Sequence, residues 1–339
     1  DVWRTQAYAL AAAAVATLAA VFLAFALASA VSRPVESLIE FMNRVGAGDL
    51  SAKAEFGGNA EFHRLADALN RMIADLRESL RLKHSIGVAM EVQQRLLPSH
   101  PPAVEGLDVA GHSAYCDETG GDYYDFLVLD ASSPHTVLVA LGDVMGHGVA
   151  AALVMAGVRA VLHDRAAASG SLAELLSRLN ALLAADHGGE RFMTMHLSVI
   201  DSRAGSMRWA SAGHDPAMVY DPSRDAFDEI GEGDLPLGVF DDTEYGEHVH
   251  SPLVSGQVIV IGTDGVWEAP NAAREQFGKE RLRAAIRESA SGSAAEVSAA
   301  IRSRLAEFQG DARAIDDVTF VVVKVRKESA PVAAPTGKV

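Results

Sequence analysis

The chain has 339 residues, of which 29 are basic and 45 are acidic, so its formal net charge is −16. Nucleic-acid binding depends on Lys and Arg side chains that neutralise phosphates, and this acidic composition therefore argues against a nucleic-acid partner. The single cysteine, Cys116, excludes an intramolecular disulfide and a thiolate metal cluster. The length corresponds to about two average domains plus connecting structure.

An uncharged and largely apolar segment occupies residues 7–32. About 20 apolar residues suffice to cross a bilayer as a helix, because a helix satisfies its own backbone polar groups. We interpret the segment as a retained membrane helix, since it lacks the basic region that precedes the apolar stretch of a signal peptide. A cleaved signal peptide is the alternative, and Ala28-Ser29-Ala30 would fit its cleavage site. Basic residues that follow, beginning with Arg33, predict an inner (cytoplasmic) membrane location with the remainder of the chain in the cytoplasm.

Two short amphipathic segments come next. Pro34 is expected to open the first helix, because proline is tolerated in a first turn, and the glycine-rich stretch 46–49 is expected to end it. Neither helix can bury its apolar seam alone, so the pattern predicts a parallel four-helix bundle of two chains. The seam positions are Val35, Leu38, Met42 and Val45, followed by Phe62, Leu65, Leu69, Met72 and Leu76.

These features resemble a HAMP signal-relay domain over residues 33–83. The resemblance rests on a proline just past the membrane, the sequence GAGDLS at the end of the first helix, and Glu61 before the second. It implies a homodimer formed through this domain and through a coupling helix, which we expect at 84–98 and which Pro98 ends. A plain coiled-coil stalk is the alternative that the same seam allows.

Beyond Pro98, short apolar runs alternate with turn signals, which is typical of an α+β domain, here expected over residues 99–327. The tail, 328–339, is expected to be disordered. The predicted strands are Leu107–Ala110, Asp125–Leu129, Thr136–Leu141, Thr194–Ile200, Met207–Ser211, Met218–Tyr220, Gln257–Ile261 and Val318–Val325. The predicted helices are Val149–His163, Ser171–Ala184, Lys279–Ser289 and Ala294–Phe308.

Four aspartate-containing motifs border the predicted strands. Glycine flanks three of them, which lets the backbone approach a ligand closely. Carboxylates without neighbouring His or Cys ligands form a hard oxygen site, which suits Mg²⁺ or Mn²⁺ better than zinc. One such motif is more often an ordinary turn, but four of them in order predict a cation site. The motifs are GGDYYD with Asp122, GDVMGHG with Asp143, TDGV with Asp264, and DDVT with Asp316 and Asp317.

With these motifs in this order, residues 91–327 resemble the SpoIIE/RsbU-type serine phosphatases, a bacterial branch of the PPM/PP2C metal-dependent phosphatases. The stretches EVQQRLLP (91–98), SAGHDP (211–216) and LPLGV (235–239) agree with the resemblance. It implies a PP2C-like β-sandwich of two antiparallel sheets flanked by helices, and hydrolysis of phosphoserine or phosphothreonine in a protein. The usual substrates of the family are anti-sigma-factor antagonists, so a phosphorylated regulator of that type is the expected partner.

The resemblance also implies a site for two divalent cations, Mn²⁺ or Mg²⁺. Asp143 would bridge both cations, and Asp143 and Asp264 would be the catalytic residues. The Val144 carbonyl and, through water, Asp122 would bind the second cation. Asp317 stands where the wider family has asparagine, which puts its role as a ligand in question. A water activated between the cations would attack phosphorus in line, without a covalent intermediate. The implied ligands are Asp122, Asp143, Val144, Asp264, Asp316 and Asp317.

One departure from the family concerns the substrate phosphate. Eukaryotic relatives hold it with an arginine shortly before the first acidic motif, whereas residues 112–118 contain neither Arg nor Lys. The phosphate would then be held by the cations, by His147, by His214 or by a mobile residue. A purely structural role in a turn is the alternative for either histidine.

The sequence also has features in common with two other classes of protein. A HAMP domain also precedes histidine kinases, but the spacing from Asp143 to Gly148 is one residue too long for the kinase motif and no phosphoacceptor motif precedes it. A phosphatase fold that only binds a partner is the second alternative. Because the helix beginning at Val149 directly follows the GHG turn, we also expect signals that pass through residues 91–97 to shift this helix and change metal affinity.

Overall fold

The structure is a computed structural model that describes residues 2–57, 60–117, 119–130, 132–168, 170–187, 191–231 and 233–326. The tail that we expected to be disordered, 328–339, lies outside the described residues. The chain forms two compact units, residues 1–85 and residues 86–339.

The first unit contains a long helix, α1 (Val2–Gly46), and the first part of a second helix, α2 (Ala60–Gln94). Helix α1 continues through Pro34, so the expectation that a separate helix begins at this proline is wrong. Proline lacks the N–H that would bond to the carbonyl of Ala30, and a helix leaving an apolar segment tolerates that single loss. An 18-residue window of α1 has a mean hydropathy of 2.5 and is not buried within the chain. By length and composition, α1 is therefore a candidate membrane span.

A small apolar core joins α1, α2 and the connector between them. Its buried side chains include Phe41 of α1, Phe56 of the connector and Ile73 of α2. Asn70 of α2 fixes the connector, because its Oδ1 accepts the N–H of Ala54 at 2.8 Å and its Nδ2 donates to the Ala54 carbonyl at 3.0 Å. The connector is thus held by a polar anchor as well as by apolar packing.

The second unit is a sandwich of two five-stranded antiparallel sheets. Their strand orders are β1-β10-β9-β6-β7 and β2-β3-β4-β5-β8. The strands are β1 (Leu107–Ala114), β2 (Tyr123–Leu127), β3 (Thr136–Val144), β4 (Met193–Asp201), β5 (Ser206–Ala212), β6 (Ala217–Asp221), β7 (Ala226–Ile230), β8 (His248–His250), β9 (Val258–Gly262) and β10 (Val318–Val325). The helices are α3 (Val149–Arg165), α4 (Leu172–His187), α5 (Gly278–Ser289) and α6 (Ala294–Gln309).

The alternation of side chains along the strands produces four layers. On β3, Val137 and Val139 pack between the two sheets, whereas Leu138 packs with α3 and α4. Strand β10 divides its side chains in the same way between the interior of the sandwich and the helices α5 and α6. Successive residues of a strand point to opposite faces, so apolar residues at every position bury both faces of each sheet. The predicted PP2C-like β-sandwich flanked by helices is confirmed.

All strands and helices predicted for this unit are present, and their ends differ from the predictions by a few residues. Strands β7 and β8 were not predicted. The sequence of β7, AFDEI, carries two acidic residues, and β8 has only three residues. Both lie at the edges of their sheets, where short and charged strands are common and leave no apolar run in the sequence.

Candidate metal centre

Two of the predicted aspartates lie on adjoining strands of one sheet. Strands β2 and β3 are antiparallel neighbours, and Tyr123 at the start of β2 pairs with Gly142 near the end of β3. Asp122 is the residue before Tyr123 and Asp143 is the residue after Gly142. The antiparallel register therefore places these two carboxylates side by side at one end of the sheet.

The other sheet presents the remaining aspartates in the same manner. Strands β9 and β10 are neighbours, and Gly262 at the end of β9 pairs with Phe320 of β10. A 3-10 turn, Asp264–Val266, follows β9 after the single residue Thr263. Asp316 and Asp317 come immediately before β10. This sheet thus also ends in two acidic motifs on adjoining strands.

Hydrogen bonds join the two sheet ends into one site. The Thr263 hydroxyl donates to Oδ2 of Asp122 at 2.9 Å. Oδ1 of Asp317 accepts the N–H of Cys116 at 2.8 Å, and its Oδ2 accepts the N–H of Gly121 at 2.9 Å. Residues far apart in the chain are therefore held together where all four motifs meet.

The two glycines of the GGD motif are required by close backbone approach. A Cβ atom at Gly120 would lie 2.0 Å from Oδ2 of Asp317, and one at Gly121 would lie 2.6 Å from the carbonyl oxygen of Val144. Side chains would collide with these atoms at either position. The Val144 carbonyl therefore lies against the loop that carries the first aspartate.

The acidic side chains of this site range from buried (Asp122 and Asp317) to exposed (Asp316), and basic side chains do not balance their charge. Burial, followed by repulsion from Asp264 and Asp316, raises the pKa of Asp143 well above its ordinary value. Burial and the charge of Asp143 raise the pKa of Asp122, and burial followed by Asp316 raises that of Asp264. Among the described residues, the five candidate ligand aspartates form no salt bridge, whereas Asp125 of the first motif pairs with Arg159 and His163. Ionising such a cluster is costly unless a cation is bound.

The chemistry of the donor set fits hard divalent cations, because every candidate ligand is a carboxylate or carbonyl oxygen. These oxygen atoms do not yet form a complete coordination shell. Within the residues that the structure describes, no group of three or more His, Cys, Asp or Glu side chains is arranged to hold one ion. Asp317 has both carboxylate oxygens engaged by backbone amides, which leaves it less free for a cation than Asp143 or Asp264.

The two histidines considered for the phosphate differ in their surroundings. His214 is 5 % exposed, and its ring nitrogens contact the Thr194 hydroxyl at 2.9 Å and the Gly262 carbonyl at 3.1 Å. Neither nitrogen is free for a substrate, so its role is structural. His147 is exposed, and its Nδ1 lies 2.7 Å from Oδ2 of Asp117.

Two arginines that the sequence reasoning missed also reach the loops of the site. Nη2 of Arg313 lies 3.1 Å from Oδ1 of Asp117, and Nη1 of Arg191 donates to the Met145 carbonyl at 3.3 Å. In the family pattern the phosphate-binding arginine comes shortly before the first acidic motif, and neither Arg191 nor Arg313 has that position. Cationic groups therefore border a site whose own side chains are acidic.

The end of α2 is bonded to the loop of the first motif, and the residues that directly follow α2 are bonded to α3. The Gln93 side chain is 3 % exposed, and its Nε2 donates to the Gly120 carbonyl at 2.6 Å. Nε of Arg159 in α3 donates to the Leu96 carbonyl at 2.7 Å. The same guanidinium lies 3.7 Å from Asp125, a buried residue of β2. The stretch EVQQRLLP, noted in the sequence as a resemblance, contains both contact residues.

The arrangement of the sheets resembles that of known PP2C phosphatases. The SiaA-PP2C domain of Pseudomonas aeruginosa superimposes with a TM-score of 0.63 at 23 % identity, over 73 % of this chain and 98 % of that domain. The RsbU and RsbW domains of Rv1364c from Mycobacterium tuberculosis give a TM-score of 0.59 at 25 % identity, over 69 % of this chain and 64 % of that one. The second unit therefore has the fold of the PP2C-type, metal-dependent protein phosphatases.

Sequence comparison defines the family within that class. The family model described as Stage II sporulation protein E (SpoIIE) matches residues 133–326, more than half of the chain, and the HAMP domain model matches residues 26–78. Phosphoserine phosphatase RsbU of Bacillus subtilis is 29 % identical over 245 residues, which are 72 % of this chain and 70 % of RsbU. Protein IcfG of Synechocystis sp. is 21 % identical over 328 residues, and this match spans only 51 % of IcfG. The chain belongs to the SpoIIE family, and it is a protein serine/threonine phosphatase with a HAMP domain.

Proposed function

We propose that this chain is a membrane-anchored, signal-regulated phosphatase that uses two divalent cations, Mn²⁺ or Mg²⁺. Its proposed substrate is phosphoserine or phosphothreonine in a regulator of the anti-sigma-factor antagonist type. The observation that carries the proposal is the meeting of four aspartate motifs from two sheets, with raised carboxyl pKa values and without balancing basic side chains.

The proposed ligands have distinct positions. Asp143, at the end of β3, would bridge the two cations, and Asp264 and Asp316 from the other sheet would complete the first. The Val144 carbonyl and Asp122 would hold the second. When bound, the cations supply positive charge that lowers the pKa of a water molecule and offsets charge on the phosphoryl oxygens. The burial of Asp122 and its hydrogen bond from Thr263 favour an indirect role through water.

Asp317 is proposed to position the site in addition to any ligand role. Its carboxylate accepts two backbone N–H bonds, from Cys116 and Gly121, and so fixes the loop before β2 against the start of β10. Hydrogen bonds from amides stabilise the charged form of a carboxylate. These bonds partly offset the burial of Asp317, which raises the pKa of its carboxyl above the ordinary value, and they connect the loop to the residue before β10.

The substrate proposal rests on relatives and on the family resemblance. RsbU is named a phosphoserine phosphatase, and it aligns with most of this chain. An anti-sigma-factor antagonist is proposed because such proteins are the usual substrates of the family. The acidic composition, with a net charge of −16, supports a protein substrate over a nucleic acid.

Membrane anchoring is proposed from α1. Its apolar window lies near the N-terminus and exposes large side chains such as Phe22 and Leu23, which are 74 % and 70 % accessible. In water such a surface would be unfavourable, whereas a bilayer would cover it. The phosphatase unit would then lie in the cytoplasm at the inner membrane.

A homodimer is proposed from the uncovered part of the HAMP seam. Met42 of α1 and Met72 of α2 are 49 % and 50 % exposed, and Val35, Leu65 and Leu76 are also exposed. These are seam positions predicted from the sequence, and they remain accessible after α1 and α2 have packed on each other. A second chain that supplies the same helices would bury them in a four-helix bundle.

Regulation through the coupling segment is proposed from its hydrogen bonds. Gln93 contacts the loop of the first aspartate motif, and Leu96 contacts Arg159 of α3. A rotation or shift at the end of α2 would therefore reach both the GGD loop and the helix that follows the GHG turn. A change in metal affinity is the proposed consequence.

The test measures hydrolysis of p-nitrophenyl phosphate and of a phosphoserine protein by the full chain in detergent. Wild type is compared with Asp143→Asn and with Asp311→Asn, which removes one carboxylate at an exposed position after α6. We expect activity with Mn²⁺, loss of activity in EDTA and in Asp143→Asn, and retention in Asp311→Asn. Failure to hydrolyse either phosphoester with Mn²⁺ present would instead favour a phosphatase fold that only binds a partner.

A further inference from the structure

His214 lies in the turn that leads from one sheet of the sandwich to the other. It follows β5, which belongs to the sheet that carries Asp143, and it precedes β6, which belongs to the sheet that carries Asp264. The ring is almost fully buried at 5 % exposure. A buried imidazole at such a crossing needs partners for both ring nitrogens.

The partners of the ring come from different sheets and define its tautomer. Nε2 lies 3.1 Å from the Gly262 carbonyl, which can only accept, so Nε2 carries the proton. Nδ1 then accepts from the Thr194 hydroxyl at 2.9 Å. Burial lowers the pKa of His214 to about 4, which keeps the ring neutral near pH 7. One neutral ring thus makes one donated and one accepted bond.

Each partner lies next to a proposed cation ligand. Thr194 on β4 is paired directly with Asp143 on β3. Gly262 ends β9, and Asp264 follows two residues later. The imidazole therefore connects β4, the strand paired with the one that presents Asp143, to the end of β9, which leads to Asp264 in the other sheet.

We propose that His214 is a positioning residue that sets the separation of Asp143 and Asp264, and thereby the affinity of the site for divalent cations. The inference rests on the proposed two-cation function. In this role His214 would act through Thr194 and Gly262, which already engage both of its ring nitrogens. Small errors in ligand position weaken metal binding, because the protein must then deform to close the coordination shell.

His196 provides an internal control for a role in packing alone. It is also a buried histidine, and its Nε2 lies 2.6 Å from the Ser198 hydroxyl. Both residues belong to β4, so this hydrogen bond does not connect one sheet to the other. Within the described residues its Nδ1 has no hydrogen-bond partner. Loss of the His196 bond should reduce stability without moving one sheet relative to the other.

The experiment measures Mn²⁺ binding to the full chain by calorimetry, together with the Mn²⁺ concentration that gives half-maximal hydrolysis of p-nitrophenyl phosphate. Thr194→Val removes the hydroxyl that His214 accepts, and Thr194→Ser restores it. Ser198→Ala removes the corresponding hydroxyl from His196. We expect Thr194→Val to weaken Mn²⁺ binding about tenfold, the loss typical of one buried hydrogen bond, with kcat largely recovered at saturating Mn²⁺. Thr194→Ser and Ser198→Ala should leave Mn²⁺ affinity within about twofold.

The variant His214→Leu removes both bonds and should weaken Mn²⁺ binding further, provided that its circular dichroism spectrum is unchanged. Equal Mn²⁺ affinities in Thr194→Val and Ser198→Ala would overturn the inference, even if both variants melted at lower temperature. A wild-type chain that binds Mn²⁺ but hydrolyses nothing would remove the proposed function and leave this binding test intact. A wild-type chain that binds no Mn²⁺ would overturn both.

Discussion

The side-chain amide of Gln93 forms two hydrogen bonds with the backbone of Gly120. Its Nε2 donates to the Gly120 carbonyl at 2.6 Å, and the Gly120 N–H donates to its Oε1 at 3.3 Å. Gly120 is two residues before Asp122, and its neighbour Gly121 donates to Asp317. The end of α2 is therefore connected to the loop of the metal site through a single buried amide.

The first prediction concerns this amide. Gln93→Ala should leave the N–H and the carbonyl of Gly120 without their partner. The loss should destabilise the position in which the loop lies against α2 by about 1–3 kcal/mol. We expect lower activity at limiting Mn²⁺, measured with p-nitrophenyl phosphate, and partial recovery at high Mn²⁺. Gln94→Ala is the matched control, because Gln94 is the exposed neighbour in the same helix. Equal activities of the two variants across the Mn²⁺ titration would contradict the proposed connection.

The second prediction concerns the phase of α2. One residue inserted between Arg81 and Leu82 rotates the following helix by about 100°, whereas seven residues return it to within about 20° of its original direction. We expect the single insertion to change phosphatase activity strongly and the seven-residue insertion to preserve it. The measurement is hydrolysis by the full chain in detergent. Unchanged activity after insertions of one, two and three residues would rule out transmission by helix rotation or shift.

The elements of the sandwich could be predicted because their signals are local. Strand β10 is a continuous run, VTFVVVKV, that is apolar enough to be buried on both faces. Helix α6 begins with a capping box, in which Ser293 and Glu296 bond to each other's backbone N–H groups. Pro34 misled the prediction, because its local signal for a helix start was overridden by the helix already running through it.

The metal site could be predicted only in part from the sequence. Aspartates beside glycines at strand ends mark candidate ligands, so the acidic residues were found one motif at a time. The contacts that assemble them are long-range: Thr263 and Asp122 are separated by 141 positions in the sequence, and Gly121 and Asp317 by 196. No local sequence pattern predicts which of these distant residues will be in contact. The two hydrogen bonds of His214, to Thr194 and Gly262, could not be predicted for the same reason, although the sequence marks the histidine itself as a candidate.

The third prediction concerns the HAMP connector. Asn70→Leu should remove both hydrogen bonds to Ala54 and leave a partly buried N–H and carbonyl without partners. The expected loss in the stability of this unit is about 1–3 kcal/mol. Thermal unfolding followed by circular dichroism is the measurement, and Asn43→Leu, at an exposed position of α1, is the comparison. A melting temperature lowered equally by both substitutions would show that the Asn70 anchor contributes nothing specific.

The last prediction concerns pH and cation binding. In the cation-free protein, burial and the neighbouring aspartates raise the pKa of Asp143 to about 7, against 3.8 for the unperturbed group. Between pH 3.8 and about pH 7, Asp143 is therefore protonated in the folded protein and ionised in the unfolded chain. Its stability without cation should fall as pH rises from about 4 to about 7, by at most about 1.4 kcal/mol per pH unit for one group, and level off above pH 7.

A cation must displace this proton, so Mn²⁺ affinity should increase with pH by up to about tenfold per unit and level off above pH 7. The measurements are calorimetric titrations in buffers of different ionisation enthalpy and, in EDTA, denaturant unfolding at pH 5.5 and 7.5. The buried residues His196 and His214 have lowered pKa values, so they reduce the stability of the fold as pH falls below 6.5. This pH dependence is opposite in sign to that of Asp143. The informative quantity is therefore the difference between wild type and Asp143→Asn, in which these histidine contributions cancel. A difference in unfolding free energy that is the same at both pH values would show that Asp143 is already ionised in the cation-free protein.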